Sequence, residues 1–264
     1  MKRAIFTILF LSTAAFAFGQ AADTTKKVDT TKNGDFSIHI GTKSWDDDSK
    51  HPVTGHYPKG FVGLTFARFD LGFDRPIDNG SFTLSKSNQF LSYNPWKTST
   101  VGFDIFQMGV RFSSHFKLFV SGGFDWTLIR LNNDITILKN QPTLTYKQDS
   151  IPFSKNRFSA SYLRIPLSFE FRTDEDRHGN RWHFVVGPEG EFLLGGMVKQ
   201  ISKEFGKQKF YNSYHFNQFQ YGGFARVGYG DFGLFAKYYA NDMFENSPAQ
   251  AGLRNFSFGF MLGF

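Results

Sequence analysis

The stretch YLRIPLSFEFR, Tyr162 to Arg172, alternates from end to end. Leu163, Ile165, Leu167, Phe169 and Phe171 fall on one face of a strand. Arg164, Ser168, Glu170 and Arg172 fall on the other, with Pro166. A period of two over this length dictates a β-strand with one apolar and one polar face. Runs of the same kind recur in eight segments, near residues 60–72, 99–112, 116–131, 158–172, 182–198, 215–229, 232–241 and 253–264. Soluble strands usually have about 5–6 residues, whereas a tilted membrane-spanning strand needs about 9–11. These segments reach the second figure.

The connections alternate as well. SSH, TDEDRHGNR and GD join segments two to three, four to five and six to seven. The other links are long, from FDRPIDNGSFTLSKSNQFLSYNPWKT after segment one to NDMFENSPAQAG before segment eight. Short turns at one end and long loops at the other predict an all-β, eight-stranded antiparallel transmembrane barrel of the outer-membrane type. An even strand count places both chain ends on the short-turn side, expected to be periplasmic. A lipocalin-like soluble barrel alternates too, with its faces reversed. Strand length, loop alternation and the ending FSFGFMLGF favour the apolar face outward. Lipid offers no hydrogen-bond partner, so such a sheet must close on itself.

Closure at eight strands leaves an interior that side chains fill. The polar faces predict its contents: Arg68 and Asp70 from segment one, Lys117 and Asp125 from three, Arg164, Glu170 and Arg172 from four, Glu189 and Glu191 from five, Arg226 from six and Lys237 from seven. The three arginines Arg164, Arg172 and Arg226 are expected to pair across the lumen with Glu170, Glu189 and Glu191, because an unpaired buried charge costs several kcal/mol. In segment two, Asp104 and Arg111 have opposite parity, so a bulge or a misassigned face is expected there. Trp96, Trp182, Tyr211, Tyr214, Tyr229, Tyr238 and Tyr239 sit near strand ends and are expected to form interfacial girdles.

The N-terminus reads as a cleaved signal peptide over residues 1–19. Lys2 and Arg3 precede a short apolar core, and Ala17 and Gly19 fit a cut before Gln20, with a cut after Ala17 as the alternative. Losing those two cations takes the formal net charge from +7 to +5. That excess suits an anionic membrane surface and is too small to argue for nucleic acid. Residues 20–59 read as a polar, flexible periplasmic extension holding one short strand at FSIHI, and residues 60–264 as the barrel. The chain has no Cys, so disulfides and a lipoprotein attachment site are excluded, while 35 Phe and 26 Gly suit aromatic strands and a crowded interior.

YLRIPLSFEF resembles the YL-x-IP strand of the PorT-like outer-membrane β-barrel proteins of Bacteroidota. HFVVGPEGEFLLGG resembles their next strand, and LFAKYYANDMF with LRNFSFGFMLGF their last two. The resemblance covers roughly Phe61 to Phe264 in layout and is specific from Tyr162 onward. It implies an integral outer-membrane barrel that starts with a signal peptide. Some relatives are linked to secretion of other proteins.

Motifs with chemistry are few. GYGDFG matches a dinucleotide glycine pattern, but strands on both sides make it a hairpin turn. WDDDSKH, Trp45 to His51, with His56 nearby, lacks the distal Glu of a calcium loop and reads as a solvated acidic loop. Ser213 with His215, or His183, would be the only acid–base or nucleophile candidates, and no spaced triad accompanies them. No catalytic, cofactor-binding or metal-binding residues are expected. Lys199, Lys203, Lys207 and Lys209 in the third long loop either contact phosphates of outer-leaflet lipid, lipopolysaccharide included, or only keep the loop soluble. Phe260, Leu262 and the terminal Phe264 read as the signal for the barrel assembly machinery. The expected function is a non-enzymatic outer-membrane protein displaying long extracellular loops for adhesion, envelope integrity or docking of a surface or secretion partner. The alternative is a narrow pore, or an accessory of a transport or secretion system.

Overall fold

The computed structural model describes residues 36–41, 57–65 and 68–263. The expected signal peptide, the WDDDSKH segment, His56 and Phe264 lie outside the described residues. β1 (Phe36–Gly41) is followed by β2 (Lys59–Thr65) and β3 (Phe69–Asp74), the short β4 (Ile77–Asp78), and the long β5 (Ser99–Arg111) and β6 (Phe116–Leu131). A small hairpin, β7 (Ile135–Ile137) and β8 (Tyr146–Gln148), precedes β9 (Lys155–Arg172) and β10 (Trp182–Ser202). β11 (Gly206–Asn212), β12 (Phe219–Tyr229), β13 (Phe232–Tyr239), the short β14 (Leu253–Arg254) and β15 (Phe256–Leu262) complete the chain.

β2 and β3 act as one interrupted strand. Both pair with β5, from Lys59 opposite Arg111 to Leu64 opposite Phe106, then from Phe69 opposite Phe103 to Phe73 opposite Ser99. Antiparallel pairing continues through β6, β9, β10, β12 and β13 to β15, and β15 returns to β3. Eight strands thus close into a barrel, and every interior strand has two partners. β15 stops opposite Phe69. The free edge of β2 that this leaves is covered by β1, which pairs with it in parallel, Phe36 opposite Gly60 through Gly41 opposite Thr65. A bare edge strands backbone N–H and C=O groups, so a covering strand is the physical remedy.

The bulge expected in the second segment is present. The β5–β6 register shifts between Asp104 and Phe106. Asp104 and Gln107 are both buried as a result, although their parity differs. Across from the bulge, the Asp104 amide donates to the Arg68 carbonyl at 3.2 Å.

β9 has 18 residues and β10 has 21, about twice what a tilted crossing requires. The excess lies at the long-loop end, where β10 runs on past its pairing with β12 and pairs with β11 instead. Residues 199–212, read as a loop from sequence, are the continuation of β10 and its hairpin partner β11. Outward residues form an apolar band: Leu71, Ile165, Phe184, Phe192, Leu234 and Phe260 are all exposed. Trp182 and Tyr229 sit 5.3 Å apart at its short-turn rim. Two tyrosines assigned to the girdles turn inward instead. Tyr239 shares a face with Lys237 and donates to Glu189 Oε1 at 2.9 Å, because neighbours in a strand cannot both face out. Tyr214 is buried among the long loops.

The short turns are held by local chemistry. Ser113 Oγ accepts from the His115 and Phe116 amides. Gly230, at φ 59°, supplies the left-handed position of the two-residue turn between β12 and β13, so GYGDFG is a hairpin.

Candidate functional site

The lumen is stacked in layers. At the short-turn end Lys117 Nζ lies 3.1 Å from Glu170 Oε2, and His183 Nδ1 lies 2.9 Å from Glu170 Oε1. Arg172 Nε is 3.9 Å from the same carboxylate. Above them Phe61, Phe119, Val185, Phe224, Phe235 and Met261 form an apolar plug. Cations on both sides lay their charge over its rings: Lys117 Nζ stands 4.5 Å from the Phe119 centroid and Arg226 Cζ 4.5 Å from that of Phe224.

The middle layer centres on Arg164, which has no exposed surface. Its Nη1 lies 2.6 Å from Asp70 Oδ2 and 3.4 Å from Asp125 Oδ2, and its Nη2 lies 2.7 Å from Asp104 Oδ1. Each of those aspartates has a second cation. Arg226 Nη2 reaches Asp70 at 3.4 Å, Arg68 Nη1 reaches Asp104 at 3.2 Å, and Lys237 bonds Asp125. Lys237 also stands 3.9 Å from Glu189 Oε1. Higher still, Ser257 donates to the buried Asp74. The buried lumen ions comprise Arg68, Lys117, Arg164, Arg172, Arg226 and Lys237 against Asp70, Asp74, Asp104, Asp125, Glu170, Glu189 and Glu191, with His183 beside Glu170. The signs nearly balance, as burial in a closed space requires.

All eleven residues assigned to the polar lumen from sequence are buried, and Arg172 lies beside Glu170 as expected, but Arg164 and Arg226 pair differently. Arg164 stands opposite Glu191 in the β9–β10 register, yet its long side chain crosses to the aspartates of β3, β5 and β6. Arg226 likewise takes Asp70 rather than a glutamate. His183, on the polar face of its strand with Glu189 and Glu191, joins the network. Asp74 and Asp104 also belong to it and were not selected from sequence: parity alone would have found Asp74, whereas Asp104 was masked by the bulge. Gly102 was missed for another reason. A Cβ there would lie 2.6 Å from Arg164 Nη1 and 3.0 Å from Asp125 Oδ2, so its lack of a side chain makes the room the guanidinium fills. Phe260 and Leu262 point outward on β15.

The long-loop end is closed by a second apolar cluster, to which every long loop contributes. Phe90 and Leu91 come from the first loop; Ile135, Ile137 and Leu144 from the second; Tyr214 and Phe216 from the third; Met243, Phe244 and Leu253 from the fourth. They pack onto Ile129, Leu131, Phe158 and Val198 at the strand ends. Phe158 stands 4.5 Å from Phe216 and 6.0 Å from Phe244, centroid to centroid. Polar bonds tie loop to loop: the Leu144 amide donates to Ser247 Oγ at 2.9 Å, the Glu245 amide to the His215 carbonyl at 2.8 Å, and Asn133 Nδ2 to the Phe90 carbonyl at 3.1 Å. Burial pushes the Tyr214 phenol up to about 12. The loops are therefore one packed cap.

Acid–base candidates find structural partners here. His183 is engaged with Glu170, and His215 Nε2 lies 2.8 Å from the Gln141 carbonyl oxygen. Among the described residues no group of three or more His, Cys, Asp or Glu could hold a metal ion. A groove of about 610 Å³ lies on the outer wall between β15 and the first loop, lined by Arg75, Phe82, Leu84, Tyr93, Phe256 and Phe258.

Closed eight-strand pairing, an apolar outer band and a charged interior meet the requirements for a barrel solvated by lipid. Comparison with protein families agrees: the model of the outer membrane protein beta-barrel domain matches residues 60–245. The chain belongs to this family. No curated protein matches the chain. For this outer-membrane barrel protein, the lumen network and the loop cap are the features on which a functional reading rests.

Proposed function

We propose that the chain is a sealed, non-enzymatic outer-membrane barrel that presents its four long loops at the cell surface as one folded platform for docking a partner or contacting the envelope. The observation that carries this reading is the packing of all four loops into a single apolar cluster over a charge-filled lumen. A conduit needs a continuous polar path, and here apolar side chains close the long-loop end and plug the lumen between its short-turn and middle charged layers. The narrow-pore reading therefore finds less support. Both chain ends lie on the periplasmic side in this orientation, with residues 1–19 removed on export and residues 20–35 forming a periplasmic extension that leads into β1 on the barrel wall. Reconstitution in planar bilayers tests the seal: no steady single-channel steps are expected, and reproducible steps would refute it. Orientation is tested with single cysteines placed in this Cys-free chain. Lys207→Cys is expected to react with an impermeant thiol reagent on intact cells, and His178→Cys only after permeabilisation.

The resemblance of the second half of the barrel to PorT-like proteins supports a docking role beside a secretion apparatus. Crosslinking from native membranes would recover such a partner through the loop cap. Phe260, Leu262 and Phe264 are proposed as the assembly signal. Deleting Phe264 should lower insertion in cells more than it lowers the stability of protein refolded in detergent; equal losses would count against that role.

A further inference from the structure

Four cations stand in one row across four neighbouring strands on the outer wall. Arg130 of β6 is opposite Arg157 of β9, Arg157 is opposite Lys199 of β10, and Lys199 is opposite Lys209 of β11. Residues opposite one another share a face, so all four side chains issue from the same side of the sheet. Their chain neighbours Ile129, Leu131, Phe158 and Val198 are buried inside, which puts the row outside. Lys207, two residues from Lys209, adds a fifth charge one step further from the barrel centre. At about 4.8 Å between strands, the row spans roughly 14 Å.

Like charges directly opposite in a sheet repel and destabilise it. The usual relief is an interleaved acid, and here there is none. Among the described residues no carboxylate lies within ion-pair distance of Arg130, Arg157, Lys199, Lys207 or Lys209. Arg130 Nη2 donates to the Ser154 carbonyl at 2.6 Å, and Arg157 Nε has no hydrogen-bond partner. The row thus has charge to offer to something outside the chain.

The surface below it says what kind of thing. One step toward the barrel centre, the row Leu128, Ser159, Met197 and Tyr211 is mostly apolar. Two further steps down stand Phe124, Leu163 and Phe192. A ligand that fits must carry phosphates or similar anions at one level and hydrocarbon directly beneath, with its long axis along the membrane normal. We propose that this wall is a binding site for a phosphorylated glycolipid of the lipid A type, its phosphates on the Arg130–Arg157–Lys199–Lys209 row and its acyl chains on the apolar rows below. The site combines two protruding strands and one hairpin, so it could not be seen from the lysines of the third loop alone. Lys203 lies at the hairpin tip, outside the row.

This inference rests on the orientation proposed above, and cysteine labelling at Lys207 tests that premise separately. The site is tested with full-length protein in phosphatidylcholine nanodiscs, titrated with bisphosphorylated lipid A and, in parallel, with its dephosphorylated form and with inorganic phosphate. Lipid A should bind and raise the midpoint of thermal unfolding. The double variant R157Q/K199Q should bind it at least about tenfold more weakly, as loss of two charged hydrogen-bond donors implies. Without lipid A, relief of repulsion should leave this variant as stable as the parent or more so, which separates lost binding from misfolding. Equal affinity of parent and variant, equal binding of the dephosphorylated form, or full competition by millimolar inorganic phosphate would each overturn the assignment.

Discussion

Replacing Arg164 by methionine removes the cation that three strands share. The guanidinium contacts Asp70 at 2.6 Å, Asp104 at 2.7 Å and Asp125 at 3.4 Å, all buried. Methionine fills much of the volume but pairs with nothing. Removing one partner of a buried ion pair costs about 3–5 kcal/mol, because the remaining charge cannot be resolvated. Here each aspartate keeps a second cation, Arg226, Arg68 or Lys237 respectively, so the lower half of that range, about 3–4 kcal/mol, is expected. With a urea dependence near 2 kcal/mol/M, the unfolding midpoint of refolded protein should fall by roughly 1.5–2 M. Adding Asp104→Asn should restore part of the loss, since Asp104 Oδ1 accepts from Arg164 Nε at 2.8 Å and lies 2.7 Å from its Nη2. A coupling of at least about 1 kcal/mol is expected for groups in direct contact. A loss below about 1 kcal/mol, or a double variant no better than additive, would refute the claim that this arginine holds the network together.

Other consequences are open to similar measurement. Gly102→Val should cost about 1–3 kcal/mol by driving a side chain into the Arg164 guanidinium, whereas Gly223→Ala, whose Cβ would meet nothing nearer than 3.6 Å, should be nearly neutral in the same urea titration. Phe158→Ala removes a ring that touches Tyr214, Phe216 and Phe244. A loss of about 3–5 kcal/mol is expected for a buried phenylalanine, and it should appear as faster amide exchange in residues 205–218 and 240–250 before the strands respond. At the short-turn end, the Tyr229 hydroxyl, with the Asn180 and His178 amides, holds Asp176 down to about 2. A depressed carboxyl stabilises the fold above its unfolded value and loses that contribution as pH falls through the folded one. The turn should therefore loosen as pH drops from about 4 toward 2, and Tyr229→Phe should raise the Asp176 titration midpoint in a carboxyl NMR titration.

Strand content and face assignment were legible because period-two alternation is a local property of the chain. Leu163 to Phe171 had to share one side, and Arg164 to Arg172 the other, whatever the barrel around them. Alternating loop lengths then set the strand count and the meander. Local patterns were less informative where three-dimensional closeness decides. Tyr239 was assigned to a girdle by proximity to a strand end, although parity with Lys237 turns it inward. Residues 199–212 looked like a loop because lysines interrupt the alternation, yet hydrogen bonding between β10 and β11 continues the sheet through them.

By itself the sequence determined that this chain makes long amphipathic strands, that they meander, and which residues face the polar side. Backbone geometry fixes those outcomes one strand at a time. Tertiary structure alone decided who pairs with whom. Long side chains such as Arg164 reach across a lumen to charges 39 to 94 residues away, a bulge resets which aspartate points inward, and four loops distant in sequence share one apolar cluster. It also lined up Arg130, Arg157, Lys199 and Lys209, because strand register is set by closure of the whole barrel and by no single segment within it.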